Sequence, residues 1–267
     1  KFKFKDFTVE DFTKAEEEKK FKELIEFLEN HFDKYPKAYL YHYNDYEKRA
    51  LRELASDYSA TFIKGNNFVD KLLRLEKFVD LYRVVSQCMQ TSEKDLSLKS
   101  IEKFYRDERS ADIKTADDSI RLFESWLITK NDKDLKDVIA YNEEDCISTY
   151  DLREFLIKNR PKDFPFFKLS TEEEFKNADV KDFEVKESAI QLKVIGNLKN
   201  NEEEVKENLK HLVGFHRREN KSKYWEKFDR LDKGPDELLD DPECIGGAIF
   251  IKKTKIKDTD NIVYLYK

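Results

Sequence analysis

Apolar side chains recur along this chain at two periods, and each change of period marks an element. Lys1–Phe7 alternates lysine with phenylalanine, the two-residue period of a half-buried strand. From about Glu16 to Phe32 the period becomes helical. Phe21, Leu24, Ile25, Leu28 and Phe32 share one stripe, and Pro36 closes the region. Ala38–Tyr43 is a short aromatic run that predicts a buried strand, and Asp45 to Leu54 returns to helical spacing. Phe78–Tyr82 predicts a second strand. Helical segments follow around Leu98–Tyr105 and Ser119–Leu127. The longest helix is predicted from about Asp132 to Lys158, capped by Asn131 or Asp132, with Leu135, Val138, Ile139, Cys146 and Tyr150 as its core stripe. Residues 159–201 carry Pro161 and Pro165, many glutamates and weak periodicity, and read as a connector. Residues 202–228 form a very polar helical stretch. Ile245–Ile256 and Asn261–Tyr266 predict two strands around a turn at 257–260.

Strands alternating with helices predict an α/β layered fold for residues 1–158. After it come a connector at 159–201, a helical segment at 202–240 and a β-hairpin at 241–267, read as the start of a further domain. The chain opens at Lys1 on a strand-like pattern without an initiator Met, and reads as a piece of something longer.

Composition narrows the chemistry. The 267 residues are 40% charged and 39% hydrophobic, with 21 Phe and 13 Tyr supplying much of the core. No glycine-rich loop ending in Lys-Ser/Thr is present, which excludes an ATP site of that kind. Net charge is −6, so contact with nucleic acid would need a local basic patch. Cys88, Cys146 and Cys244 are odd in number and widely spaced. They argue against a disulfide framework or a zinc site and fit a reducing, cytoplasmic setting. No apolar run approaches membrane-spanning length.

Tyr141 and Asp145 carry the sharpest signal. A phenol and a carboxylate at i and i+4 share a helix face, here at the edge of the predicted core stripe. Together they could orient water and hold a divalent metal for phosphodiester cleavage, although a solvated helix face has the same spacing. Tyr41-His42-Tyr43-Asn44-Asp45-Tyr46-Glu47 lies where a strand ends and a helix begins, the place where ligands collect in open α/β sheets. Glu47 is a candidate metal ligand there. Asn44 and Asp45 read as capping residues, with Asn44 also a candidate for site support, and His42 reads as a packed histidine. Asp80 interrupts an apolar strand, so it requires a metal or backbone amides as partner. Asp118 opens a helix as a cap or faces the site. Phe215–Trp225 mixes cations and aromatics. Arg217, Arg218, Lys221, Lys223 and Trp225 suit a nucleic-acid backbone with base stacking, or a solvated face with an anchoring Trp.

Several stretches resemble one family. They are Tyr41-His42-Tyr43 with Tyr46-Glu47, Phe78–Val85, Ser97-Leu98-Lys99 leading to Phe104-Tyr105, Ala140-Tyr141-Asn142 with Glu144-Asp145-Cys146, Phe215–Glu219, Trp225–Leu231 and Asp241–Gly247. The chain resembles the RecB-like nucleases with a YprB-type domain, which have a ribonuclease-H-like α/β/α fold within the DEDD 3′–5′ exonuclease superfamily. The resemblance implies four carboxylates on two Mg²⁺ or Mn²⁺ ions. Asp145 would be the last ligand, Glu47 the second-motif ligand and Tyr141 the residue positioning water. It also implies DNA as substrate and a superfamily I helicase following in the same protein. The family's Asp-x-Glu strand is expected before Lys1, because the triplets at Asp45/Glu47, Asp182/Glu184 and Asp241/Glu243 lie in the wrong elements. This chain alone is then expected to hold an incomplete metal site and to be inactive. The rival reading is a catalytically silent module that binds nucleic acid or a partner. A third is an exonuclease acting on RNA.

Overall fold

The structure, a computed structural model, describes residues 2–106, 116–165, 178–196, 203–239, 241, 244–245, 247–256 and 262–267. The chain divides into two compact units, Lys1–Arg218 and Glu219–Lys267.

The first unit is helix-rich. Helix α1 (Lys14–Lys34) is capped by Thr13, whose side chain accepts from the Glu16 amide. Strand β1 (Leu40–His42) leads into α2 (Tyr46–Asp57) and α3 (Ile63–Arg74), and the chain returns as β2 (Phe78–Asp80). The strands pair in parallel, Leu40 with Phe78 and His42 with Asp80. Parallel strands need a long crossover, and α2 and α3 supply it. Next come α4 (Leu81–Cys88), α5 (Leu98–Glu102), α6 (Ala116–Thr129) and α7 (Asp132–Asn159). Further along are α8 (Ala178–Gly196) and α9 (Glu203–Leu212), and α10 (Phe215–Asp232) begins in this unit. The second unit contains the rest of α10, α11 (Pro235–Leu239) and an antiparallel hairpin of β3 (Phe250–Lys255) and β4 (Ile262–Tyr266). The predicted mixed α/β character holds broadly. The turn predicted at 257–260 lies outside the described residues.

Two predicted strands change. Residues 2–7 form no strand, although their phenylalanines do pack: Phe2 against Tyr150, and Phe7 against Phe27 with Lys5 over both Phe7 and Phe27. Alternation by itself carries no ladder hydrogen bonds, and here the aromatics pack against helices. The strand predicted through Tyr82 stops at Asp80. That residue caps α4 by accepting from the Tyr82 amide.

Two cores stabilise the first unit. Phe21, Ile25 and Leu28 of α1 are buried, as are Val69, Leu72 and Leu73 of α3, and the Phe21 ring meets Phe62 edge-on at 5.9 Å. The second core joins Leu81, Val85, Ile101 and Leu152, and so fastens α4 and α5 to α7. Burying each such side chain stabilises by about 1.5–3 kcal/mol. Helix α7 presents Val138, Tyr141, Ser148 and Leu152 inward, a stripe rotated from the predicted one. Cys146 and Tyr150 are exposed.

The stretch predicted as one helix over 202–228 breaks at Gly214, whose φ is +77°. Left-handed backbone suits glycine. A Cβ there would stand 2.2 Å from Glu187 Oε1, while Glu187 is held by Arg217 at 2.7 Å and Arg218 at 3.0 Å. Gly214→Ala is therefore expected to destabilise the protein by roughly 1–3 kcal/mol, read by chemical denaturation. Gly196→Ala meets nothing within 4 Å and is the neutral control.

No helix among the described residues is long and apolar enough to cross a membrane.

Candidate metal-binding site at the carboxyl ends of the parallel strands

The chain leaves β1 through Asn44, which adopts φ 67°. Asparagine tolerates this left-handed conformation better than most residues. His42 Nδ1 donates to the Asn44 carbonyl at 2.5 Å, and the Asn44 amide donates to Asp80 Oδ1 at 2.9 Å. The same Asp80 oxygen accepts from the Tyr82 amide at 2.9 Å. Of the two partners predicted for Asp80, the structure shows backbone amides. His42 is buried, as its packed reading expected. Asp45 occupies the cap position of α2 but makes no side-chain cap bond. The Asn44 side chain accepts instead from the Asp45 amide at 2.8 Å.

This turn sets Glu47 in the first turn of α2, where the helix dipole favours a carboxylate. The residue is exposed to solvent. Its carboxyl is nevertheless pushed above the ordinary glutamate range. Desolvation by surrounding protein is the chief cause. Its own backbone amide and His42 oppose the shift, and the negative charges of Asp80 and Asp145 reinforce it. Glu47 and Asp145 thus sense one another's charge from different helices, across about a hundred residues of chain.

On α7, Tyr141 is buried, and Lys99 Nζ lies 4.8 Å from its ring centroid. Asp145 is half-buried one helical turn further on. The Cys146 thiol is raised by desolvation first and then by the charges of Asp145, Glu47 and Glu143. Glu144, next to Asp145, is committed elsewhere: Arg106 donates to its Oε2 at 2.9 Å and to its carbonyl at 3.4 Å. Arg106 also pairs with Glu102 at 3.1 Å and Asp151 at 3.4 Å. Sequence reading missed Arg106 and Lys99 as contributors. Lys99 stood inside the quoted Ser97-Leu98-Lys99 stretch, and Arg106 directly followed Phe104-Tyr105.

Beside these residues lies a cavity of about 780 Å³, lined in part by Phe7, Phe12, Tyr46, Phe123, Ile139 and Asn142. Its lining comes from the amino-terminal segment, the start of α1 and α2, α6 and α7. Asp118 sits in the first turn of α6, next to Ser119 on the cavity wall.

The basic–aromatic stretch needs a correction. Arg218 is 1% exposed, paired with Glu187 and donating to the Val213 and His211 carbonyls. Arg217 is bound to Glu187 as well. These guanidiniums hold α8 to the α9–α10 turn, and Arg218 is not presented to a nucleic-acid backbone. Lys221, Lys223 and Trp225 lie further along α10. Lys223 is exposed, and the Trp225 ring is 6.0 Å from Phe228.

Among the described residues, no group of three or more His, Cys, Asp or Glu side chains is arranged to hold a metal ion. Glu47 and Asp145 are of the residue type that binds a divalent ion. They offer hard carboxylate oxygens, and a cation would relieve their mutual repulsion. Nucleases with a ribonuclease-H-like fold generally use divalent metals.

No curated protein and no solved structure matches the chain. Residues 2–157 match a family described as belonging to the RNase_H superfamily, and that span holds both strands, Glu47, Asp80 and the Tyr141–Asp145 face of α7. By that match over more than half its length, the chain belongs to the RNase_H superfamily.

Proposed function

We propose that residues 2–157 form a metal-dependent nuclease domain of the DEDDy type, a 3′–5′ exonuclease acting on DNA within a RecB-like nuclease–helicase protein. The observation that carries this reading is the match of residues 2–157 to the RNase_H superfamily, with Glu47 in the first turn of the helix that follows β1. The carboxyl ends of strands are where α/β sheets place their ligands. Superfamily membership makes nucleic acid the substrate class. The choice of DNA rests on the RecB-like resemblance.

In this reading Glu47 and Asp145 hold Mg²⁺ or Mn²⁺, and the other ligands come from outside the described residues. The bound ions would supply charge stabilisation for the attacking and leaving oxygens of the phosphodiester. The chain's own groups do the positioning. Tyr141, fixed by burial and by Lys99, orients the attacking water from the edge of the site. Asp80 supports Glu47 by holding the Asn44 turn, and Arg106 keeps Glu144 away from the metal.

Calorimetric titration with Mn²⁺ tests the assignment. Glu47→Gln and Asp145→Asn are each expected to weaken binding at least about tenfold, with neither change unfolding the protein. Equal affinity in all three proteins would sink the reading in favour of a silent binding module. The titration also has a predicted pH dependence. A metal ligand must be deprotonated, and Glu47 holds its proton to higher pH than an ordinary glutamate. Mn²⁺ affinity is therefore expected to fall as pH drops through a range above the usual carboxylate one. That limb should disappear in Glu47→Gln.

A further inference from the structure

Helix α5 is only five residues long, yet its place against α7 is fixed at both ends. At its start the Ser97 hydroxyl oxygen accepts from the Ser100 amide at 3.3 Å. Asp95 accepts from the Ser97 amide at 2.9 Å and from the Ser100 hydroxyl at 2.7 Å. At its end Ile101 is fully buried among Leu81, Val85 and Leu152, and Glu102 is paired with Arg106, which also holds Glu144 of α7. A short helix anchored in this way is held against turning about its axis, so the fold sets the direction of Lys99. Lys99 is half-buried, and its ammonium lies against α7, 4.8 Å from the centroid of the buried Tyr141 ring. Lysine ordinarily keeps its ammonium in water. Here the fold brings it to the helix face that carries Asp145 one turn later.

The surroundings of that face are acidic. The charges of Asp80 and Asp145 are felt at Glu47, and those of Asp145, Glu47 and Glu143 at Cys146. A polyanion entering here meets repulsion from these groups unless cations are placed against it. Metal ions held by the carboxylates would answer that need at the reacting oxygens. The phosphate oxygens away from the metals need a cation of the protein, and Lys99 is a cation that the fold holds against Tyr141. Attraction to a ring acts on the ammonium's charge. The same compact group, with its three donors, can also serve a phosphate oxygen.

We infer, on the basis of the nuclease reading, that Lys99 binds a phosphate oxygen of the nucleic-acid backbone beside Tyr141 and so seats the strand on the Glu47–Asp145 site. A contact of this kind positions the strand and carries no sequence preference. It is tested on the full chain in EDTA, so that cleavage plays no part. The readout is fluorescence anisotropy of labelled oligo(dT), followed as a function of salt.

Lys99→Met keeps the stem over Tyr141 and removes the charge. It is expected to weaken binding about fivefold at low salt and to reduce the slope of log affinity against log salt by about 0.7, the share of one phosphate. Lys99→Arg keeps the charge and should keep the slope. A lysine that did no more than cover Tyr141 would leave affinity and slope unmoved in Lys99→Met. That result, or a parent chain that does not bind oligo(dT), would overturn the inference. In the parent chain, oligo(dT) should slow acetylation of Lys99 by an N-hydroxysuccinimide ester, read by mass spectrometry, which keeps the test valid should Lys99→Met misfold. Equal acetylation with and without oligo(dT) would also overturn it. Lys99-dependent binding together with Mn²⁺ affinity indifferent to Glu47 and Asp145 would leave this contact standing and remove only the metal assignment. The reverse pattern would remove only this contact.

Discussion

Asp145→Asn is expected to abolish most divalent-metal-dependent hydrolysis of labelled single strands, lowering the rate at least about a hundredfold in any active form of the protein. The substitution keeps the shape of the side chain and removes one negative charge from beside Glu47. Because that charge contributes to holding the Glu47 carboxyl protonated to higher pH, its loss relieves repulsion, and the thermal midpoint should not fall. A large loss of rate at unchanged stability separates a chemical role from a structural one. Glu144→Gln provides the contrast. Glu144 is bound to Arg106, so its substitution should lower stability before it touches metal affinity. Hydrolysis by Asp145→Asn at the parent rate would remove Asp145 from the site.

The largest expected effect on stability lies two turns further along the same helix. Leu152 is fully buried among Leu81, Val85 and Ile101. Leu152→Ala should cost about 2–5 kcal/mol, the range for deleting a buried leucine and leaving a cavity. Urea denaturation reads it as a fall in midpoint with little change in slope. Tyr150→Ala should cost much less, because Tyr150 is 46% exposed, with its ring 6.0 Å from that of Phe2. Hydrophobic periodicity ranks these two positions the other way, so a larger loss at Tyr150 would reject the packing described for α7.

That inversion shows where the sequence was legible. The limits of α1 and α7 and the Asn131 cap followed from spacing and capping chemistry, and the structure has Asn131 accepting from the Lys133 amide. The inward face of α7 did not follow. Ser148 is buried because its hydroxyl pairs with Tyr105 at 2.8 Å, and a hydropathy pattern passes over serine. Cys146 scored as apolar yet lies exposed. The turn after β1 was visible as polar residues at a strand end, but no pattern shows that one Asp80 oxygen serves the amides of both Asn44 and Tyr82. Arg218 looked like a surface cation because it stands in a basic run. Its partner Glu187 is 31 residues away, a distance that local reading does not cross. Glu47 and Asp145 were each legible as candidates, and the charge they share emerged only from the fold.

Arg106 gives the Tyr-x-x-x-Asp spacing a meaning that the spacing lacks alone. Consecutive helical residues differ by about 100° in azimuth. Turning α7 by that amount would carry Asp145 away from Glu47 and swing a neighbouring acid into its place. By pinning Glu144 and Asp151 of α7 to Glu102 of α5, one guanidinium acts as an index pin. It selects which acid in a run of three has its charge felt at Glu47, and it lies outside the motif whose reading it decides.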